Sequence, residues 1–345
     1  MTEKDLLPAL FWPSVQALLT DRSSAPRGAT DAPSLIEQCS WHGLLPLMFA
    51  ATNLPPDLAR VRDMATGWRR IYEVRARLFQ EAIVSLCEAL GEQVVFIKGA
   101  DYGHRLYPDR FLRPMQDIDI LVPADRIDAT CKRLCKAGLI PQPAVGAARD
   151  PLHHERVMFH GKIIVEVHQA FIQNARHGID YDAIWQRRVP MELGGHRVYR
   201  LDDVDALAYQ ALTMAIDQFH LRLIRYVDLW QLLHQRPRIA QAAAVRAREW
   251  QAARALYGAL RLACRLFPSF RSDDTQAAMT IAVAGVTRRF IDAWVLPGPR
   301  ELRSITLPSR GLQLWRKACL IDTPARRVKF AFDHALASLR GRSAG

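Results

Sequence analysis

Apolar residues recur at three- and four-residue spacing in SVQALL, in SLIEQCSWHGLLPLMFAA and from Leu58 to Leu90, where the pattern stops at Gly91. That period belongs to helices, so residues 1–91 read as an N-terminal helical region. Its turns are marked by Ser23, Ser24, Pro26 and Gly28, and again by Asn53, Pro55 and Pro56. The period then shortens. VVFIKG is an apolar run closed by glycine, and DIDILV alternates acid and aliphatic residues with a period of two, so both predict strands. ADYGHRLY between them reads as one or two helical turns, and ADRIDATCKRLCKAGL as an amphipathic helix closed by Gly138. RVMFHGKIIVEVHQAF reads as two strands joined in a tight hairpin at His160–Gly161–Lys162. After Asp180 the helical period returns in DDVDALAYQALTMAIDQFH, with Asp202 as its N-cap, and in LIRYVDLWQLLHQ. It continues toward residue 345 with breaks at Pro268, Pro297–Gly298–Pro299, Pro308 and Pro324. The predicted class is α+β: a small mixed β-sheet core over 92–180, flanked by helical regions 1–91 and 181–345.

Composition narrows this picture only in places. The 345 residues are half hydrophobic and a quarter charged, which is ordinary for a globular chain. A net charge of +12 is not ordinary. It favours an anionic partner such as a nucleotide, a nucleic acid or a membrane surface, although arginine-rich genomic base composition gives the same number. Residues 300–342 hold ten Arg and Lys against three acids. Six cysteines form no CxxC pair; Cys131 and Cys135, four apart on a predicted helix, read as buried thiols rather than zinc ligands. Such scattered cysteines, with no signal peptide and no long apolar run, are expected of a cytoplasmic protein without membrane insertion.

The chemistry concentrates in the central segment. On a strand, Asp117 and Asp119 share one face while Ile118, Ile120 and Val122 share the other. Two close carboxylates repel, and a divalent cation removes that repulsion; Mg²⁺ in particular prefers carboxylate oxygens together with substrate phosphates. The bland alternative is two acids in solvent at a strand edge. Three further features favour the cation. Lys98–Gly99 ends a strand just before a helix, where a phosphate can approach the backbone and Lys98 can supply a charge. Glu166 lies within an apolar strand, flanked by Ile164, Val165 and Val167, and suits a third ligand or a base for an attacking hydroxyl. His168, on the same face, would support it. Arg113 precedes the acid pair and is placed to neutralise phosphate or to pair with the aspartates. On the later helix, His220, Arg222, Arg225 and Asp228 are candidates to face the same cleft, or else form a solvated stripe with one buried ion pair.

The order of these motifs resembles the active site of the polymerase-beta-like nucleotidyltransferase superfamily. FIKGADYGHRLYPDRFLRPMQDIDILVP followed by IIVEVHQAF is similar, more narrowly, to the bacterial uncharacterised nucleotidyltransferase family. The likeness is strong over about 94–170 and weaker in WHGLLPL and LIRYVDLW. It implies Asp117, Asp119 and Glu166 as ligands of two Mg²⁺ ions. Lys98, Gly99, Arg113, His168, Arg225 and Asp228 would lie around a nucleoside triphosphate such as ATP. It further implies transfer of a nucleoside monophosphate to an acceptor hydroxyl with loss of pyrophosphate. The acceptor is open: RNA, a peptide or protein, or a small molecule. The chain departs from the superfamily where a Gly–Ser usually follows the first strand; here Lys98–Gly99 stands instead, and no serine is available to the phosphate. Two other activities fit the same residues: a non-catalytic nucleotide- or RNA-binding protein, and a phosphotransferase using the γ-phosphate.

Overall fold

A computed structural model describes residues 7, 11–20, 32–142, 154–172, 176–219, 222–298 and 309–342. The chain forms two compact units. One comprises Met1–Phe171, Tyr181–Ala206 and Arg222–Leu232; the other comprises Ile172–Asp180, Leu207–Leu221 and Leu233–Gly345.

The first unit is built on a mixed seven-stranded sheet of order β3-β4-β5-β2-β1-β7-β6. Its strands are β1 (Val95–Ile97), β2 (Asp117–Leu121), β3 (Ile140–Pro141), β4 (Glu155–His160), β5 (Ile163–His168), β6 (Val189–Leu193) and β7 (His196–Arg200). The N-terminal helices are α1 (Phe11–Thr20), α2 (Ala32–Trp41), α3 (Leu45–Ala50), α4 (Pro56–Met64) and α5 (Thr66–Leu90), followed by α6 (Gly99–Arg105) and α7 (Ile127–Lys136). The α+β class read from the sequence is the class observed. The segment 58–90, expected as one helix, is two, because the chain breaks at Ala65 between α4 and α5.

The period of two in DIDILV has the expected consequence. Ile118, Ile120 and Val122 join Val94, Phe96, Val165 and Val167 beneath Phe79, Ile83, Leu86 and Leu90 of α5 and Leu134 of α7, all essentially without solvent contact. Burying one such side chain contributes about 1.5–3 kcal/mol, so this face holds α5 and α7 against the sheet. A one-residue slip of β2 would put its carboxylates into that core, which fixes its register.

The reading of residues after Asp180 as helical needs correction. After α8 (Tyr181–Arg187), β6 and β7 form a hairpin that adds to the sheet, with β7 parallel to β1. The hairpin turns at Gly194 and Gly195, both at positive φ, and a Cβ at Gly194 would stand 2.6 Å from Val84 of α5. Its strands alternate, but both are short and half-exposed. The following helix α9 (Asp203–Ile216) is capped by Asp202, whose Oδ1 accepts the Asp205 amide at 2.7 Å. Helix α10 (Ile224–Leu233) meets the segment after α2: the Ile224 amide donates to the His42 carbonyl, and the Leu223 amide to His42 Nδ1. Gly43, at φ +71°, lets Ile224 and Pro114 close on that turn.

The second unit is helical among the described residues, with α11 (Ile239–Glu249), α12 (Ala253–Leu266), α13 (Asp273–Ala282), α14 (Gly285–Phe290), a π-helical turn (Ile291–Val295), α15 (Arg310–Cys319) and α16 (Pro324–Arg342). Its helix starts are capped: Asp274 accepts the Ala240 and Gln241 amides, Asp322 accepts those of Ala253 and Arg254, and Ser272 and Thr275 form a capping box. The cysteines on α7 differ from expectation: Cys131 is half-buried and Cys135 exposed, since only Ile127, Thr130 and Leu134 of that helix face inward. His220 and the proline breaks at 299 and 308 lie outside the described residues.

Candidate functional site

The face of the sheet opposite α5 carries the unusual residues. Strand β2 pairs with β5 in parallel, with Asp119 opposite Glu166 and Leu121 opposite His168. It pairs antiparallel with β1, with Ile97 opposite Asp119, so Lys98 emerges beside the carboxylates. Strand β4 pairs with β5 with Glu155 opposite His168. Alternation therefore gathers Asp117, Asp119, Glu166, His168 and Glu155 on one surface of three adjacent strands.

Asp119 is the hub. Its carboxylate is 1% exposed. Oδ1 accepts from the Lys98 ammonium and lies 2.9 Å from His168 Nε2. His168 Nε2 is also 3.4 Å from Glu166 Oε2, and its Nδ1 is 3.4 Å from Glu155 Oε2. Burial alone would raise the Asp119 carboxyl, but Lys98 and His168 outweigh it and hold it well below the usual carboxylate range. Burial would lower the His168 imidazole; its bonds to Asp119 and Glu166 instead push it up to about 9. The repulsion expected between Asp117 and Asp119 is thus offset by an ammonium and an imidazolium. Asp117 keeps more of it: burial first, and Asp119 second, raise its carboxyl. Burial, and then Glu166 among the charges, likewise raise Glu155, against a lowering by His168.

Asp119, Glu166 and His168 each offer a ligand atom within 4.8 Å of the others, and so do His154, Glu155 and His168. Among the described residues Asp117 belongs to no such triplet. Two carboxylates suit a hard divalent cation, and Asp119 and Glu166 fit one if the Lys98 ammonium yields its place on Asp119; His168, as an imidazolium, would join the ligands only on losing its proton.

Lys98 itself has φ +50°, a conformation unfavourable for a side-chain-bearing residue and held here by its surroundings. Gly99 follows at the start of α6, where a Cβ would meet Met115 Cγ at 2.9 Å. Arg113 and Asp228, both candidates for the nucleotide, engage each other. Arg113 donates from Nη2 at 2.7 Å and from Nε at 3.0 Å, the Tyr107 hydroxyl adds a third bond at 2.7 Å, and Asp228 has no solvent exposure. Arg222 is half-buried; burial lowers its guanidinium, opposed by the nearby charge of Asp117. Arg225 is partly exposed on α10.

Glu155 and His154 were not picked out from sequence. The signal was available: counting outward from the His160–Ile163 pair at the hairpin turn sets Glu155 opposite His168. The Gln169 amide bond to the His154 carbonyl then brings His154 alongside.

A family model described as uncharacterised nucleotidyltransferase matches residues 28–268. That span includes the sheet, every acid of the cluster and the helix carrying Asp228. No curated protein matches the sequence.

Proposed function

The chain belongs to the uncharacterised nucleotidyltransferase family, and on that premise we propose a Mg²⁺-dependent transfer of a nucleoside monophosphate from a nucleoside triphosphate to an acceptor hydroxyl, with release of pyrophosphate. The observation that carries this reading is the convergence of Asp119, Glu166 and His168 on one sheet face, their ligand atoms within 4.8 Å of one another. Asp119 and Glu166 would hold the cation, with Asp117 the further carboxylate toward the same substrate. Bound Mg²⁺ supplies Lewis-acid stabilisation of the phosphate oxygens and orients them.

The residues of the chain have separate parts in this proposal. Lys98, tied to Asp119 in the unliganded arrangement, transfers its charge to a phosphate oxygen when substrate arrives. Glu166 is the more exposed carboxylate, 24% against 1% for Asp119, and is the group available to accept a proton from the acceptor hydroxyl. His168 orients both carboxylates and compensates their charge. Arg225 on α10 and Arg222, two residues before that helix, would meet anionic substrate. The pair of Arg113 and Asp228 ties that helix to the segment leading into β2, which makes it a positioning device rather than a phosphate contact.

One observation favours a second reading. Lys98 and His168 already compensate Asp119, so that carboxylate needs no cation of its own, as a binder that does no chemistry would require. Incubation with nucleoside triphosphates labelled at the α- or the γ-phosphate, with and without Mg²⁺ and with RNA, peptide and protein acceptors, separates the readings. Transfer of the α label with pyrophosphate release, only in Mg²⁺, is the expected result. Transfer of the γ label alone would make the protein a phosphotransferase, and metal-independent binding without transfer would make it a binder.

A further inference from the structure

The second unit contains a cavity of about 320 Å³ between α12, α13, α14 and the π-helical turn, lined by Tyr257, Arg261, Gln276, Met279, Arg288 and Arg289 together with Gly285 and Asp292. This volume lies at the lower end of small-ligand sites. Three guanidinium groups line it against one carboxylate, and that carboxylate is committed. Asp292 accepts from the Tyr257 hydroxyl at 2.9 Å and from Arg261 Nε at 2.9 Å, and Arg265 lies 3.7 Å away. Because Asp292 takes Arg261 through Nε, the terminal amino groups of that fork lie outside the contact. Arg288 donates Nη1 to the Thr280 hydroxyl, a neutral partner, at 3.2 Å. Arg289 is exposed at the rim. The cavity wall includes a π-helical turn, a rare backbone form that recurs where a helix is adapted to a ligand. Six of the eight lining residues lie beyond residue 268, outside the segment that the family model matches.

We infer that this cavity is a phosphate-binding site, distinct from the acid cluster on the sheet, which takes the phosphoryl group of a phosphorylated ligand on Arg261, Arg288 and Arg289. Guanidinium forks match phosphate oxygens in a bidentate manner. An excess of two positive charges in a concave site favours an anion over a neutral ligand. The phosphoryl group has two possible sources, a small phosphorylated molecule and the backbone of a polynucleotide, and the chemistry on the protein side is the same for both.

The test is isothermal titration of the full chain in EDTA, in a Lys98→Met background that removes the cation offered to phosphate at the sheet cluster. The probes are pyrophosphate, a short single-stranded oligonucleotide and a nucleoside lacking phosphate. Pyrophosphate or the oligonucleotide should bind and the nucleoside should not. Arg288→Gln with Arg289→Gln should weaken binding about tenfold or more, the loss of at least one charge-assisted contact, with an unchanged melting temperature because both positions are at least partly open to solvent. The Lys replacements at the same positions should retain part of the affinity. Tighter binding of the oligonucleotide would assign the phosphate to a polymer, and tighter binding of pyrophosphate to a small molecule. Absence of binding by both phosphate probes, equal binding of the nucleoside, or indifference to the Gln pair would overturn the inference.

Discussion

Removing the charge of Asp228 should unfold the chain at lower denaturant while leaving its contacts with a nucleotide untouched. Asp228 is fully buried and accepts three short bonds, two from Arg113 at 2.7 and 3.0 Å and one from Tyr107 at 2.7 Å. Asp228→Asn keeps an oxygen for Tyr107 but leaves the Arg113 cation buried without its counter-charge. Breaking a buried pair in this way costs about 3–5 kcal/mol. The nearby charge of Asp117 offsets part of that, so about 3 kcal/mol is expected. Arg113→Met should cost a similar amount from the other side, and Arg113→Met with Asp228→Asn less than the two summed, a coupling of about 2 kcal/mol or more. Urea unfolding followed by tryptophan fluorescence measures the cycle. Single costs below about 1 kcal/mol that simply add would refute a structural role for the pair. Loss of nucleotide affinity in a fully stable Arg113→Met protein would return Arg113 to the phosphate.

Lys98→Met should lower the stability of the metal-free protein by about 1–3 kcal/mol, since buried Asp119 loses one of its two cationic partners. Mg²⁺ should then raise the melting temperature more in the variant than in the native chain; an unchanged melting temperature would count against the compensation argument. Gly194→Ala should cost about 2 kcal/mol or more, because its Cβ would stand 2.6 Å from Val84 at a φ of +63°. Gly195→Ala, at φ +82° with open space around it, should cost only about 1 kcal/mol, and equal costs in thermal melts would contradict the packing. His42 is buried, accepts the Leu223 amide on Nδ1, and is pushed down to about 3 by burial and by Arg222. Between pH 6.5 and about 3 the unfolded chain binds a proton that the folded chain does not. Stability is therefore lost as pH falls through that window, by up to about 1.4 kcal/mol per unit from this group. His42→Asn should flatten the acid limb of urea midpoints measured from pH 7 to 4, and an unaltered slope would refute the assignment.

The parts of this architecture that were legible in the sequence are those where one periodicity dominates. DIDILV could be placed as a strand with its faces assigned, one residue longer than β2, because its acids and aliphatics have opposite preferences, and the β4–β5 hairpin because Gly161 marks a turn that needs positive φ. The family likeness drawn on 94–170 was similarly readable, because Lys98–Gly99, the acid pair and Glu–x–His fall in order. The β6–β7 hairpin was not readable as strand: its residues are short, half-exposed and flanked by strong helical patterns, and its place in the sheet depends on a parallel pairing with β1 that no local signal encodes. The partners of Lys98, Arg113 and Asp228 were likewise hidden. Charge at a position says that a counter-charge is needed; which one supplies it depends on contacts such as Arg113 with Asp228, 115 residues apart. Glu155 shows the intermediate case, fixed by hairpin register but overlooked without it.

The claim on which the functional account rests is that Asp119 and Glu166 hold a divalent cation once nucleotide is present. Manganese suits the same oxygen ligands as magnesium, and its free aquo ion is counted directly by electron paramagnetic resonance. Titration of Mn²⁺ into the protein with a nucleoside triphosphate should remove the free-ion signal in excess of what the nucleotide alone removes, and Asp119→Asn or Glu166→Gln should each weaken that retention at least about tenfold. Retention equal in the native chain and in both variants, or none beyond the nucleotide's own, would contradict the account.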